Sequence, residues 1–401
     1  MKEFRIGVIG NVDSGKSSTI GVLKTNINDD GRGSARKAVM KHPHEQLTGR
    51  TSSISYNNIE INNNKIVLID LAGHLKYFKT TIYGISSLCL DLIILVVSAN
   101  QGINNITKEH YLLARFFKLP ILVVVSKIDI CPQNILDNTI NNLEKFINSS
   151  KGGKRQINLI STDATIDYKT LFNNINIVNI IKISNKTGYN IDILKKIINS
   201  FKLKNTYEDR IDKEVKFSIE EIYQVPGIGI VLYGFMLSGS INIKDKLKLG
   251  LFKDGTYTDI IVKSMHDNYK NNITTLTAGK AGCIAIKTLN NKTLLKRINI
   301  KKGMLLMNEF KTYKQFKCNL YILHHSTTIK SGFEPIINTL GISQVGRIEN
   351  IYDKSILRTG DNEYVNFKFK YKPEIIGINQ LFVLRDAQCK AIGKITEVFN
   401  N

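Results

Sequence analysis

Cysteine is scarce in this chain, and the few cysteines are scattered. The 401 residues contain 5 cysteines, and none of them forms a C-x-x-C pair. This excludes a disulfide framework and a zinc ribbon. The 7 histidines include no H-E-x-x-H motif, in which two histidines on one helix face hold zinc. We therefore expect no structural transition metal.

Long hydrophobic runs are also missing. No stretch reaches the roughly 18 uninterrupted apolar residues that a membrane helix requires, and the longest candidate, 88–99, is interrupted by Asp91. The first residues form a strand-length run that ends in a glycine turn, a pattern unlike that of a signal peptide. We expect a soluble, monomeric protein of the cytoplasm that has no membrane partner.

Acidic residues are too few to balance the basic ones. Lys and Arg number 56 against 34 Asp and Glu, which gives a net charge of +22 and a pI of about 9.6. A surface of this sign attracts polyanions such as RNA. The 42% hydrophobic content and 22% charged content are those of a globular protein and exclude a fully disordered chain.

The hydrophobic pattern changes near residue 205. Before it, apolar runs at 65–69, 92–97 and 121–125 alternate with helical stretches, which is typical of strands buried in a parallel sheet. After it, short β-branched runs alternate with Gly, Asn and Asp turns, which is typical of barrels or sandwiches. We predict a doubly wound, mostly parallel α/β domain followed by two all-β barrels. The predicted limits are 1–205 for the α/β domain, 206–214 for a linker, and 215–307 and 308–401 for the barrels.

Residues 10–17 match the pattern G-x-x-x-x-G-K-[ST] between a predicted strand and a predicted helix. In such a P-loop the glycines let backbone amides wrap around phosphates, the lysine reaches the β- and γ-phosphates, and the serine hydroxyl binds Mg²⁺. We therefore predict a nucleotide site formed by Gly10, Asn11, Val12, Asp13, Ser14, Gly15, Lys16, Ser17 and Ser18.

A D-x-x-G motif, Asp70 to Gly73, directly follows the apolar run 65–69. A carboxylate at a strand end can hold Mg²⁺ through water, and a glycine lets the backbone approach the γ-phosphate. We therefore predict that Ser17 and Asp70 bind Mg²⁺ and that Gly73 senses the γ-phosphate.

Two later motifs indicate which base is bound. Ser126, Lys127 and Asp129 follow the run 121–125. A carboxylate there can accept hydrogen bonds from the N1–H and 2-amino groups of guanine, which adenine lacks, and such pairing discriminates strongly. The loop Ser184-Asn185-Lys186 is expected to close over the base. The ordered motifs predict GTP and GDP as ligands, not ATP.

The chain resembles the translational GTPases of the elongation factor Tu and elongation factor 1 alpha type. The resemblance rests on GNVDSGKSSTIGVLK, IDLAGHLKYFKTT and SKIDICPQNIL, and VPGIGIVLYG and RTGDNEYVNFKF extend it over nearly the whole chain. It is specific to the GTP-binding protein 1/2 group. The resemblance implies a G domain followed by two β-barrels. We expect the N-terminal extension usual in that group to be missing.

The resemblance also assigns roles to individual residues. Thr51 would be the switch I threonine that senses Mg²⁺ and the γ-phosphate, and His74 would be the histidine that orients the attacking water. Asp13 would act with a monovalent cation near the β,γ bridge. Tyr77 and Lys79 would lie where the family meets the 5′ end of tRNA.

Two positions depart from the family pattern, and one basic run stays open. Ser126 stands where asparagine is usual, and Arg50 stands where the elongation factors have an apolar residue beside the threonine. The basic run of switch I is either functional or simply a solvated face. It comprises Arg32, Arg36, Lys37 and Lys41.

We predict an elongation factor-like GTPase that hydrolyses GTP and delivers aminoacyl-tRNA to the ribosome. Its predicted catalytic residues are His74, Lys16, Asp13 and Thr51. One alternative is a ribosome-rescue or surveillance GTPase. Another is a GTP-sensing, RNA-binding adaptor in mRNA turnover, with mRNA-decay factors as partners. Ribosome-stimulated hydrolysis would distinguish the enzyme from the adaptor.

Overall fold

The computed structural model describes residues 3–39, 54–62, 64–161, 166–201, 207–289, 295–385 and 389–399. The chain forms two compact units, one of residues 1–85 and 89–204 and one of residues 86–88 and 205–401. Among the described residues, no helix has the length and apolar character needed to cross a membrane.

The first unit is built on a seven-stranded sheet with the order β2-β3-β1-β4-β5-β7-β6. Only the pair of β2 and β3 is antiparallel, and the other neighbouring strands are parallel. Every residue of β4 and β5 is buried, as strands covered by helices on both faces require. The strands are β1 (Glu3–Gly10), β2 (Ser55–Ile61), β3 (Asn64–Asp70), β4 (Leu92–Ser98), β5 (Ile121–Ser126), β6 (Gln156–Ile160) and β7 (Ile177–Lys182).

Amphipathic helices connect these strands. In α6 the buried residues Ile191, Leu194 and Ile198 recur at helical spacing, so one face packs on the sheet. The helix α4 begins at a side-chain cap, where Asn104 accepts a hydrogen bond of 2.9 Å from the amide of Thr107. The helices are α1 (Lys16–Thr25), α2 (Ser34–Lys37), α3 (Phe78–Ser87), α4 (Asn105–Phe116), α5 (Gln133–Asn148) and α6 (Ile191–Ser200), with 3₁₀ turns at Leu75–Tyr77 and Ile128–Ile130.

The second unit begins with a closed barrel that runs β11-β16-β8-β9-β15-β12 and returns to β11. Its core is mostly aliphatic, and Leu232 and Ile284 are fully buried there together with the aromatic Phe217. The strands β10 and β14 form a separate two-stranded sheet. The strands of this region are β8 (Lys216–Val225), β9 (Gly229–Ser238), β10 (Ser240–Asn242), β11 (Lys246–Gly250), β12 (Tyr257–Asp267), β13 (Asn272–Ile273), β14 (Thr275–Thr277), β15 (Ala281–Thr288) and β16 (Leu305–Met307), with 3₁₀ turns at Glu208–Arg210 and Arg297–Asn299.

A second closed barrel follows in the order β17-β20-β19-β18-β21-β22. Four buried phenylalanines, Phe316, Phe367, Phe369 and Phe382, pack together at its centre. Its strands are β17 (Gln315–His325), β18 (Ile336–Thr339), β19 (Ile342–Ile351), β20 (Asn362–Phe369), β21 (Leu381–Arg385) and β22 (Cys389–Phe399). The predicted fold class, a parallel α/β domain followed by two β-barrels, is confirmed. The predicted domain limits stay predictions.

Candidate active site

The P-loop follows β1 and leads directly into α1. At Gly10 the backbone has a φ of +147°, and an added Cβ would collide with the carbonyl of Val96, so only glycine fits there. The ammonium group of Lys16 donates a hydrogen bond of 2.8 Å to the carbonyl of Asn11. This contact folds the lysine back across the loop, where phosphates bind in P-loop proteins.

Lys16 is a buried lysine whose charge interacts with two carboxylates. Burial lowers the pKa of Lys16, and the carboxylates of Asp70 and Asp13 act in the opposite direction. A phosphate group would supply further negative charge and stabilise the ammonium form. The exposed Asp13 has a positive φ of 57°, and the cation expected beside it stays a prediction.

The predicted magnesium ligands lie together at the start of α1 and the end of β3. The hydroxyl of Ser17 donates a hydrogen bond of 2.7 Å to Oδ2 of Asp70. One hydroxyl and one carboxylate are the hard oxygen ligands that Mg²⁺ prefers, so this pair fits the ion. Thr51, the third predicted ligand, falls outside the described residues, as does Arg50.

Gly73 and His74 bring the segment after β3 against the P-loop. A Cβ added at Gly73 would lie 2.5 Å from both the carbonyl oxygen of Gly10 and Nζ of Lys16. The imidazole of His74 is fixed by its own chain, because Nδ1 accepts a hydrogen bond of 3.0 Å from the amide of Lys76. A neutral ring held in this way carries its proton on Nε2.

Of the two predicted tRNA contacts, Tyr77 lies beside this histidine. The rings of Tyr77 and His74 have centroids 6.1 Å apart, and Lys79 is exposed on α3. Their contact with RNA stays a prediction.

Ser126 connects the end of β5 to the P-loop. Its hydroxyl is fully buried and donates a hydrogen bond of 2.6 Å to the carbonyl of Ser14. The neighbouring Lys127 has a positive φ of 60° and lines the P-loop cavity. The sequence alone did not predict that Ser126 would hold the phosphate loop.

The two predicted base-binding segments also contact each other. The hydroxyl of Ser184 donates a hydrogen bond of 2.7 Å to Oδ1 of Asp129, which fixes the carboxylate that is predicted to accept from guanine. Asn185 is buried and donates to the hydroxyl of Thr19 on α1 at 3.0 Å. Lys186 is exposed and lies near Gly31.

One polar cavity gathers residues from these segments. Lysines, backbone glycines and a histidine converge there, which suits a polyphosphate. The sequence leaves open whether Arg36 is functional or simply solvated, and the structure places it in the lining of the cavity. The sequence shows only that Arg36 follows two aspartates by a few positions. That pattern does not indicate where the side chain of Arg36 lies. The lining residues are Val12, Asp13, Gly15, Lys16, Ser17, Ser18, Arg36, Gly73, His74 and Lys127.

Comparison with known proteins gives the family. Residues 1–204 match the model of the elongation factor Tu GTP binding domain. GTP-binding protein 1 of Xenopus laevis is 34% identical over the whole chain, and GTP-binding protein 2 of Homo sapiens is 33% identical over 99% of it. The chain spans 64% and 69% of the lengths of these two relatives.

Two solved structures share the fold. The translation elongation factor SelB from Methanococcus maripaludis, in complex with the GTP analogue GppNHp, has a TM-score of 0.74 at 18% identity, with 100% of this chain and 80% of that chain covered. The GTP-bound GTPase-like domain of Ski7 from S. cerevisiae has a TM-score of 0.77 at 14% identity, with coverage of 98% and 97%. The family match over the G domain and the identity to GTP-binding proteins 1 and 2 together show that this chain belongs to the translational GTPases, in the GTP-binding protein 1/2 group.

Proposed function

We propose that this chain binds GTP and GDP with Mg²⁺, hydrolyses GTP, and in its GTP state carries aminoacyl-tRNA to the ribosome. The observation that supports it is the convergence of Lys16, Gly73 and His74 on one cavity. Asp129, the carboxylate that we expect to accept from guanine, is held in place by Ser184. We place the protein in the cytoplasm as part of the same proposal.

The first task of the site is to hold the triphosphate. P-loop amides and Lys16 surround the β- and γ-phosphates and stabilise the charge that develops there during hydrolysis. Mg²⁺, held by Ser17 and Asp70, would neutralise further phosphate charge. Because Lys16 is buried, its attraction to phosphate is weakly screened by water.

The second task is to orient the water that attacks the γ-phosphate. With Nδ1 of His74 occupied by the amide of Lys76, the neutral ring has only an Nε2–H donor to offer to a water or phosphate oxygen. We infer that His74 orients oxygen atoms by donating a hydrogen bond and does not take up the proton of the water.

The third task is to bind RNA only in one nucleotide state. The net charge of +22 alone would give salt-sensitive binding to any RNA. Selectivity requires that the γ-phosphate order the segment at Gly73 and so the surface that carries Tyr77 and Lys79. GTP and charged tRNA should then tighten each other's binding.

Two assays test the proposal. GTP hydrolysis is measured for the protein alone, with ribosomes, and with ribosomes plus aminoacyl-tRNA, and we expect the highest rate in the last condition. Filter binding at near-physiological salt then compares charged with deacylated tRNA under a non-hydrolysable GTP analogue and under GDP. Stimulation by ribosomes without preference for charged tRNA would favour a rescue or surveillance GTPase. Equal RNA binding in all four conditions, without stimulation, would favour the adaptor.

A further inference from the structure

The segment between α1 and α2 is held in place by two aspartates. Oδ1 of Asp30 accepts hydrogen bonds from the amides of Arg32 at 2.7 Å and Ser34 at 3.1 Å. Oδ1 of Asp29 accepts from the amide of Ala35 at 2.9 Å and from the hydroxyl of Ser34 at 3.2 Å. These bonds satisfy amide groups at the start of α2 that have no partner within the helix, so the short helix has a defined position.

The same segment is attached to the predicted base-binding loop. The amide of Asp29 donates a hydrogen bond of 2.8 Å to the carbonyl of Asn185. Asn185 is itself tied to α1 through Thr19. The segment before α2 is therefore fixed to the same two elements that border the nucleotide site.

The helix α2 packs directly against α1. A Cβ added at Gly21 would collide with the carbonyl of Ala35, so the two helices touch at this point. Residues three and four apart lie on one helix face, and Gly21 therefore shares its face with Ser17 and Ser18. Both serines line the P-loop cavity. The contact places α2 within one helical turn of the phosphate end of α1.

Arg36 is the residue of α2 that lines this cavity. It is half-buried and folds back over Gly33, where an added Cβ would lie 2.5 Å from its Nε. Its basic neighbours Arg32 and Lys37 are exposed and do not line the cavity. The described lining contains one carboxylate, that of Asp13, so the guanidinium adds to a predominantly cationic wall.

We propose that the guanidinium of Arg36 binds phosphate oxygens of the bound guanine nucleotide from the side of α2, opposite Lys16. The proposal rests on the proposed function, because it takes the P-loop cavity to hold a nucleotide. Arginine suits this position since its planar fork binds phosphate through two hydrogen bonds at once, which lysine cannot reproduce. The two aspartates explain how a four-residue helix holds this side chain in place.

The test compares charge-neutral variants of the three basic residues. Arg36→Gln keeps much of the length and polarity of the side chain and removes its charge, while Arg32→Gln and Lys37→Gln are matched controls on the same segment. Dissociation constants for GTP and GDP are measured with fluorescent nucleotide analogues at two salt concentrations. We expect Arg36→Gln to weaken both nucleotides about tenfold, equivalent to ~1.4 kcal/mol, and Arg36→Lys to recover part of the loss. The controls should stay within about twofold of the wild type, since a solvated charge contributes little.

A second variant moves Arg36 without replacing it. Gly21→Ala would push α2 away from α1, and we expect it to reproduce the loss of affinity while thermal melting of the nucleotide-free protein shows that the domain still folds. Binding of Arg36→Gln within twofold of the wild type would overturn the proposal, as would equal losses in all three glutamine variants. A wild-type protein that binds neither nucleotide would overturn the proposed function and this inference together.

Discussion

Replacing Ser126 by alanine removes the hydrogen bond that joins the end of β5 to the P-loop. The hydroxyl of Ser126 is fully buried and lies 2.6 Å from the carbonyl oxygen of Ser14. It also packs against Gly15, where an added Cβ would lie 3.4 Å from it. Alanine keeps the packing of the Cβ and removes the hydroxyl. The hydroxyl also lies 3.4 Å from the carbonyl oxygen of Val97, a longer and weaker contact, so the main loss is the bond to the P-loop.

The expected effect is a weaker hold on the nucleotide. A buried carbonyl that loses its donor costs on the order of 1 to 3 kcal/mol. The P-loop of the variant should be less ordered before the nucleotide binds. Part of the binding free energy is then used to order the loop, so the nucleotide binds more weakly. If ordering the P-loop costs about 1 kcal/mol of binding free energy, we expect the dissociation constants of GDP and GTP to rise about fivefold. Preference for GTP over ATP should not change, because Asp129 is fixed separately by Ser184.

Titration of fluorescent GDP and GTP analogues in the presence of Mg²⁺ measures the dissociation constants. Competition with ATP in the same assay measures the preference for guanine nucleotides. Ser98→Ala is the matched control, since Ser98 is the register partner of Ser126 on β4 and is also buried. In the part of the chain that the structure describes, no hydrogen bond joins the Ser98 hydroxyl to the P-loop. Equal affinities for Ser126→Ala and the wild type would refute the reasoning, as would an equal loss in the control.

The remaining predictions concern four other residues. His74→Ala should bind nucleotide normally but lose most ribosome-stimulated hydrolysis, and His74→Gln, which keeps an N–H donor, should retain more of it; a wild-type rate for alanine would remove His74 from the mechanism. Asp129→Asn should weaken guanine nucleotides and strengthen xanthine nucleotides in competition binding, and unchanged preference would show that the base lies elsewhere. Gly73→Ala should weaken the GTP analogue more than GDP, because the new Cβ would collide with Lys16 at the place where we predict that the γ-phosphate is sensed; equal losses would contradict that role. Burial raises the pKa of Asp91 from 3.8 to about 7, against the opposing hydrogen bond from the amide of Arg5. The folded state therefore binds this proton more tightly, so the free energy of unfolding should fall as pH rises from about 4 to about 7, by roughly 2 to 4 kcal/mol. Urea unfolding followed by circular dichroism should show that the free energy of unfolding falls with pH more steeply in the wild type than in Asp91→Asn. Equal pH dependence in the two proteins would contradict the prediction.

The fold was predictable because its signals are local. Continuous apolar runs give the fully buried β4 and β5, and the glycine pattern at 10–17 gives the turn from strand to helix. Parallel strands bring their carboxyl ends to one edge of the sheet, so Asp70, Ser126 and Ser184, which follow or end β3, β5 and β7, lie at the same edge although they are far apart in sequence. Pattern and topology together were therefore sufficient for the positions of these residues.

The contacts between those residues were not predictable in the same way. That Ser126 donates to the P-loop depends on the register of β4 and β5 beneath it. The position of Arg36 depends on one close contact, between Gly21 and Ala35, that no periodicity encodes. Both contacts depend on how segments distant in sequence pack together. A sequence pattern shows which residue types are present but not which of them come into contact.

The phosphate and base ends of the site are joined by side chains of the protein itself. Ser126 connects β5 to the P-loop, Ser184 connects its loop to Asp129, and Asn185 connects the same loop to Thr19 on α1. Groups in one hydrogen-bond network change energy together. We therefore expect a ligand that orders the predicted base loop to restrain α1 as well, the helix that carries Lys16 and Ser17. For this reason we expect the affinity for guanine and the affinity for phosphate to change together when Ser126 or Asn185 is replaced.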